Sequence, residues 1–224
     1  MTNYFAVLTV VAALGTAACS AAETPAAAKP AARPAAAAPA ARVTAAPVGT
    51  STAAPAAGLQ RYVQAPGGST LTFSFIQAGA ENQGAFKQFT TELNYDEKNL
   101  GASSLKVTVQ TGSFDTQDKD RNDTLAGAEL LDPKKFPTAQ FVANSFARGA
   151  KGIDAVGKLT LRGVTKDLKL PLVVHTTATG AEISGETTIK RLEFGVGQGE
   201  WKSTEWVGDE IKLRYKAVLT KAGR

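Results

Sequence analysis

The chain has 224 residues, with 25 Lys and Arg against 20 Asp and Glu, a single His and a single Cys. One cysteine gives no disulfide framework, and any hydrolysis of the Ser-His-Asp kind would have to run through His175. Of the formal charge of +5, the first 60 residues hold +2, from Lys29, Arg33 and Arg42 against Glu23. The remaining +3 is spread over alternating acidic and basic residues with no basic, aromatic-interleaved run, which argues against nucleic-acid binding.

In chain order, "YFAVLTVVAALGTAACS" is an apolar run ending in small side chains, too short for a confident transmembrane helix and suited to a secretory signal. The preceding "MTN" lacks the usual positive charge. Thr16, Ala17 and Ala18 before Cys19 resemble the lipobox of bacterial lipoproteins, with Thr16 where Leu is usual. In that case Cys19 becomes the lipid-modified N-terminus, anchoring the protein without spanning the bilayer. Ser20, in place of Asp, then favours the outer membrane. The alternative is that Cys19 is an ordinary small residue close to a general signal-peptidase site. Either way the protein is expected to be exported, to the periplasm.

Residues 20–59 are Ala- and Pro-rich. Pro25, Pro30, Pro34, Pro39, Pro47 and Pro55 prevent a continuous helix, and such a segment cannot form a core. As a semi-extended tether at ~3.1 Å per residue, it could reach on the order of 100 Å.

From residue 60 the pattern changes to period two. "TLTFSFIQ" places Leu71, Phe73 and Phe75 on one face; "SLKVTVQT" does the same with Leu105, Val107 and Val109; "EIKLRYKAVLT" alternates Ile211, Leu213, Tyr215, Ala217 and Leu219 with Lys212, Arg214 and Lys216. Further strands are expected in "GAFKQFTTELNYD", "AQFVANSFA", "AVGKLTLRG", "DLKLPLVVHT" and "EISGETTIKR". About eight or nine amphipathic strands in roughly 160 residues predict an all-β antiparallel barrel or a sandwich. "DTQDKDRNDTLAGAELLDPKKF" breaks the alternation and predicts a short helical insertion, with Thr116 as its N-cap and Pro133 as its stop.

The interior of an eight-stranded barrel either packs with side chains or holds one small ligand. Phe73, Phe75, Phe86, Phe89, Phe141 and Phe146 all lie in strand-like runs, and their pattern leaves both outcomes open.

Three motifs invite chemistry. His175 falls at a strand edge beside Thr176 and Thr177, as an exposed histidine would. Asp118, Asp120, Asn122 and Glu129 occupy positions 1, 3, 5 and 12 of an EF-hand loop, but Asp123 stands where the turn needs Gly. No metal is expected there; the acidic residues suit a helix N-terminus. "RLEFGVGQGEW", residues 191–201, has Gly195, Gly197 and Gly199, yet the third comes too early for a phosphate-binding G-x-G-x-x-G and no helix follows. Its glycines predict a strand and corner segment of the barrel.

Taken in order, "GAFKQFTTELNYD", "TGSFDTQDKDRNDTLAGAELLDPKKFPTAQF", "GKLTLRGVTKDLKLPL", "RLEFGVGQG" and "VGDEIKL" resemble the YceI-like family of exported, lipocalin-like bacterial proteins that bind polyisoprenoids. Gly84, Phe86 and Phe89 match the family's second-strand pattern. Ser113, Asp115, Thr116, Arg121, Asp123 and Leu125 match its loop and helix, and Phe136, Pro137 and Phe141 the element after them. Leu159, Thr160, Gly163, Val164 and Thr165 match its hairpin, and Arg191, Phe194, Gly195 and Gly197 its late glycine motif. Thr124 replaces a frequent His, and Leu130 and Leu131 replace two aromatics. "RNDTL" with "GQGEW" is similar to members associated with cytochrome b561-type membrane electron carriers.

The resemblance implies non-catalytic binding of a polyisoprenoid lipid or isoprenoid quinone. The expected apolar lining is Phe73, Phe75, Phe86, Phe89, Leu105, Val107, Phe141, Leu159, Leu213 and Tyr215, with Arg191, Arg121 or Trp201 at a headgroup. The alternative is a solid-cored interaction module for a cytochrome b561-type or envelope-stress partner.

Overall fold

The computed structural model describes residues 58–150 and 152–223. Cys19, the signal and the Ala/Pro-rich tether lie outside the described residues. The strands are β1 (Gln60–Gln64), β2 (Thr70–Gln77), β3 (Ala80–Phe86), β4 (Phe89–Tyr95), β5 (Ser104–Gln110) and β6 (Phe114–Asp115). After helix α1 (Lys119–Leu125) come β7 (Thr138–Gly149), β8 (Gly152–Leu161), β9 (Val164–Thr176), β10 (Gly180–Lys190) and β11 (Glu210–Lys221).

Eight of these strands close a ring in the order β1-β4-β5-β7-β8-β9-β10-β11, sealed by β1 on β11, and every pairing is antiparallel. β2 takes the next stretch of the same β11 edge, β3 pairs with β2, and β6 pairs with β3, so the extra strands lengthen the wall at one end. The architecture is an all-β, eight-stranded antiparallel barrel with one short helix. Closure of β1 on β11 joins the two ends of the ring.

The inward face changes parity where the chain bends. Gly84 and Phe86 point inward from β3, whereas Phe89, Thr91, Leu93 and Tyr95 do so from β4. "GAFKQF" is therefore two strands, not the single one expected. The break at Lys87–Gln88 is pinned by Ser113: its carbonyl accepts from Lys87 N–H at 2.9 Å and its hydroxyl oxygen from Gln88 N–H at 3.0 Å. A bulge between Ala143 and Ser145 makes the same switch on β7, carrying the inward set from Ala143 to Phe146.

Two sequence expectations need correction. The N-cap of α1 is Asp118, whose carboxylate accepts from Arg121 N–H at 2.9 Å. Thr116 is outside the helix because its N–H and hydroxyl both donate to Asn122 Oδ1. The helix also ends at Leu125, well before Pro133. Residues 191–201 are not a strand: 3₁₀ turns at Arg191–Phe194 and Gly199–Lys202 flank glycines held at positive φ.

Candidate ligand-binding site

The inside of the barrel has two unlike ends. Along β11, Tyr215 separates Ala217 and Leu219, in the close-packed end, from Leu213 and Ile211, which face a cavity. At the packed end, Leu93, Leu105, Leu172, Ile183 and Leu219 are fully buried, and Ala143, Ala155 and Ala217 make room between them. Large residues opposite small ones fill the interior without voids. Phe89 and Tyr215 lie between the ends with ring centroids 6.4 Å apart. The Tyr215 hydroxyl donates to Thr91 Oγ1 at 3.4 Å, and burial pushes its pKa well up.

Beyond them the interior opens into a cavity of about 430 Å³, within the range of small-molecule sites. One wall is aromatic: Phe73 lies 5.2 Å from Phe86 and 6.1 Å from Phe75, centroid to centroid. The close approach of Phe73 to the backbone explains Gly84, where a Cβ would fall 2.4 Å from the ring. The rest of the lining is aliphatic, from Leu159, Leu161, Ile189, Ile211 and Leu213, with Leu213 paired directly with Phe73 across the β2–β11 ladder. Leu125, Leu130, Leu131, Val196 and Trp201 cover the end, and Asp118, Asp120, Arg121 and Thr124 bring polar groups to its rim.

The expected lining thus divides. Phe73, Phe75, Phe86, Leu159 and Leu213 face the cavity, whereas Phe89, Leu105, Val107, Phe141 and Tyr215 belong to the buried core. Ile211 and Leu161 share the inward parity of Leu213 and Leu159, so the alternation already contained them. Nothing in the alternation reveals that Leu130 and Leu131, in irregular chain, turn inward.

The three expected headgroup residues also part company. Arg191 touches the cavity, but it is 3% exposed and its guanidinium is fully engaged. Nε donates to the Gly208 carbonyl at 2.9 Å, Nη1 to those of Val196 and Trp201 at 3.1 and 2.8 Å, and Nη2 to those of Ser203 and Val207 at 3.2 and 2.8 Å. Burial lowers its pKa, opposed by nearby Asp209. Arg191 therefore organises the β10–β11 loop. This also explains Gly197: a Cβ there would sit 1.8 Å from Arg191 Nη1. Arg121 is different, because its guanidinium lies at the rim 4.0 Å from Asp118 and partly open to solvent. Trp201 presents a half-buried ring to the cavity.

The loops over the cavity are fastened by polar contacts. The amides of Gly197 and Gln198 both donate to the Glu129 carbonyl at 2.8 Å. Arg162, in the β8–β9 turn, donates to the carbonyls of Ala128 and Gly195. The amides of the glycine motif thus receive a carbonyl of the chain. Sequence reading missed Arg162, and no local pattern marks it. In the EF-hand-like stretch, Asp118 caps α1, Asn122 accepts from Thr116, and Asp123 pairs with Lys119. His175 is exposed on β9 opposite Glu182.

Comparison with known proteins agrees with this architecture. The model of the YceI-like domain matches residues 62–219. A UPF0312 protein of Enterobacter sp. (strain 638) is 40% identical over 87 residues, 39% of this chain and 45% of that protein. Protein YceI of Salmonella arizonae is 41% identical over 87 residues, 39% of this chain and 46% of the relative. The matched stretch thus spans less than half the length of these curated relatives. Among solved structures, Burkholderia cenocepacia BcnA is similar with a TM-score of 0.64 and 34% identity, over 67% of this chain and 95% of BcnA. A polyisoprenoid-binding domain from Saccharophagus degradans shares the fold with a TM-score of 0.58 at 13% identity, over 72% of this chain and 98% of that one. With its barrel, its cavity-end loops and the match over residues 62–219, the chain belongs to the YceI-like domain family.

Proposed function

We propose that the protein is a non-catalytic carrier, in the bacterial cell envelope, for the apolar chain of a polyisoprenoid lipid or isoprenoid quinone. The observation that carries this reading is the apolar cavity of about 430 Å³ at one end of an otherwise packed barrel. The polyisoprenoid-binding description of the Saccharophagus degradans domain supports the same class of ligand. Each methylene taken out of water contributes ~0.8 kcal/mol, so an enclosed chain needs few polar contacts.

If each methylene-sized group takes about the 30 Å³ of a water molecule in the liquid, the cavity holds on the order of fifteen such groups. That corresponds to roughly three isoprene units, so a longer chain extends through the mouth. Arg121 is the rim cation that would meet a headgroup, and Trp201 the ring beside it. An anchor on Cys19 and the tether would keep the barrel within reach of the outer membrane. A cytochrome b561-type membrane protein is the partner class that fits a quinone cargo. The cavity weighs against a solid-cored interaction module.

The test is titration of the purified full chain with a short-chain isoprenoid quinone, followed by quenching of tryptophan fluorescence. Saturable quenching that Leu213→Asp weakens, by placing a charge on the apolar wall, is the expected result. A folded parent chain that takes up no quinone would overturn the reading.

A further inference from the structure

The mouth of the cavity carries an apolar feature that ligand enclosure does not use. Trp206 is 70% exposed and Ile76, on the outer face of β2, is 45% exposed. The two are held side by side by backbone. Ala78 N–H donates to the Trp206 carbonyl at 2.8 Å, Gly208 N–H donates to the Ile76 carbonyl at 2.9 Å, and Gln77 bridges Val207. The next carbonyls, of Val207 and Gly208, are gripped by Arg191. Exposed Ala78 and Ala80 at the β2–β3 turn extend the patch. The indole is therefore presented outward by a fixed backbone.

Its position gives it meaning. A recess of about 370 Å³ lined by Trp206 shares Gln77, Trp201 and Val207 with the main cavity, so the exposed indole borders a recess contiguous with that cavity. Around it the charges have both signs, Glu200 and Glu205 with Lys202 between them, and Asp118, Asp120 and Arg121 at the cavity rim. Such a rim has no net attraction for an anionic surface, whereas an indole with an apolar body and a polar N–H suits the headgroup level of a bilayer.

We propose that Trp206 and Ile76 dock the barrel, mouth first, on a zwitterionic lipid surface, so that an apolar chain passes between bilayer and cavity without crossing water. The purpose of this contact rests on the carrier reading above; its geometry does not. A lipid surface is favoured over a protein partner because the patch borders a recess contiguous with an apolar cavity and has no one-signed charge pattern to read.

The experiment uses the chain from Ser20 onward, so that neither the apolar signal segment nor an acyl group contributes, and phosphatidylcholine vesicles. In a Trp201→Phe background Trp206 is the sole tryptophan. Its emission should shift to the blue and be quenched by brominated acyl chains. Trp206→Ala should weaken vesicle cosedimentation roughly tenfold, with little response to added salt and an unchanged melting temperature. It should also slow quinone uptake from vesicles while leaving uptake from cyclodextrin intact. An unshifted, unquenched Trp206, or undiminished cosedimentation of Trp206→Ala, would overturn the proposal. So would binding only to vesicles containing native membrane proteins, which would assign the patch to a protein partner. Failure of the parent to take up quinone from cyclodextrin would sink the carrier reading alone, and the quenching result would still decide the docking surface.

Discussion

The two ends of the barrel are built from the same alternating strands and held together by different mixtures of forces. At the packed end, Leu93, Leu105, Ile183 and Leu219 interdigitate with alanines, and apolar burial maintains the structure. At the cavity end Leu130, Leu131, Phe194 and Val196 are buried from the loops as well, and polar fastenings add to that burial. Arg191 grips five carbonyls, Arg162 two, and the Glu129 carbonyl receives two amides. The wall itself is looser there. The β9–β10 ladder runs only from Ala181–Thr176 to Gly185–Leu172 and stops at Pro171, which has no N–H to donate. The lesson is that a barrel can leave a cavity at one end when its cap is tied by hydrogen bonds as well as by apolar burial.

The largest expected effect breaks that cap. Arg191→Met takes the donor from five carbonyls, one buried and four part-buried; at about 1–3 kcal/mol for each group left unsatisfied, a loss of roughly 3 kcal/mol is expected in urea unfolding. Conversely, a stability within about 0.5 kcal/mol of the parent, the range of ordinary surface changes, would mean that Arg191 does not hold the loop. Next comes a matched pair. Leu93→Ala, at a fully buried position, should cost about 3 kcal/mol without altering quinone affinity. Leu213→Ala, at the cavity wall, should cost about 1 kcal/mol and weaken quinone binding. Equal stability losses at the two positions would erase the distinction between the ends.

A subtler change sharpens it. In Gly84→Ala the new methyl meets the Phe73 ring, which has empty space to move into, so we expect reduced ligand capacity with a stability change below about 1 kcal/mol. A similar substitution against a ring in a filled core would show the reverse balance. The smallest effect concerns the approach to α1. Asp115 accepts from Gln117 N–H at 2.8 Å and lies 3.3 Å from Lys87 Nζ, contacts that hold its pKa below the ordinary carboxylate value. A carboxylate with a depressed folded-state pKa contributes stability above its unfolded pKa of about 4 and loses it as pH falls through the folded value. Asp115→Asn should therefore lower the melting temperature slightly at pH 7, and the gap from the parent should close on acidification below pH 4. A gap that widened with acid would reverse the sign of this contact.

Much of the wall was legible in the sequence. The alternation in "TLTFSFIQ" and "EIKLRYKAVLT" marks β2 and β11 almost to the residue, because a strand with one wet face must alternate. The break between β3 and β4 was written in the spacing of Phe86 and Phe89, an odd step that a single strand cannot place on one face. The division into full and empty ends was not legible. Leu105 and Leu159 have the same parity and the same chemistry, and only the residues facing them across the barrel decide whether either meets a neighbour or a void. Arg191 shows a second limit: the five carbonyls that engage it belong to residues 196–208, and their convergence depends on the path of a loop without periodicity. The glycine motif illustrates both halves. Its failure as a phosphate loop was readable from spacing, whereas the carbonyl that its amides receive comes from Glu129, nearly seventy residues earlier.

The central claim is that the hollow end carries an apolar chain. Its most direct test is mass spectrometry of an organic-solvent extract of the intact protein purified from its native envelope. A polyprenyl lipid or isoprenoid quinone near one per chain, reduced in a Leu213→Asp variant that still folds, is the predicted result. An extract with no prenyl compound, or with the same amount from that variant, would contradict it.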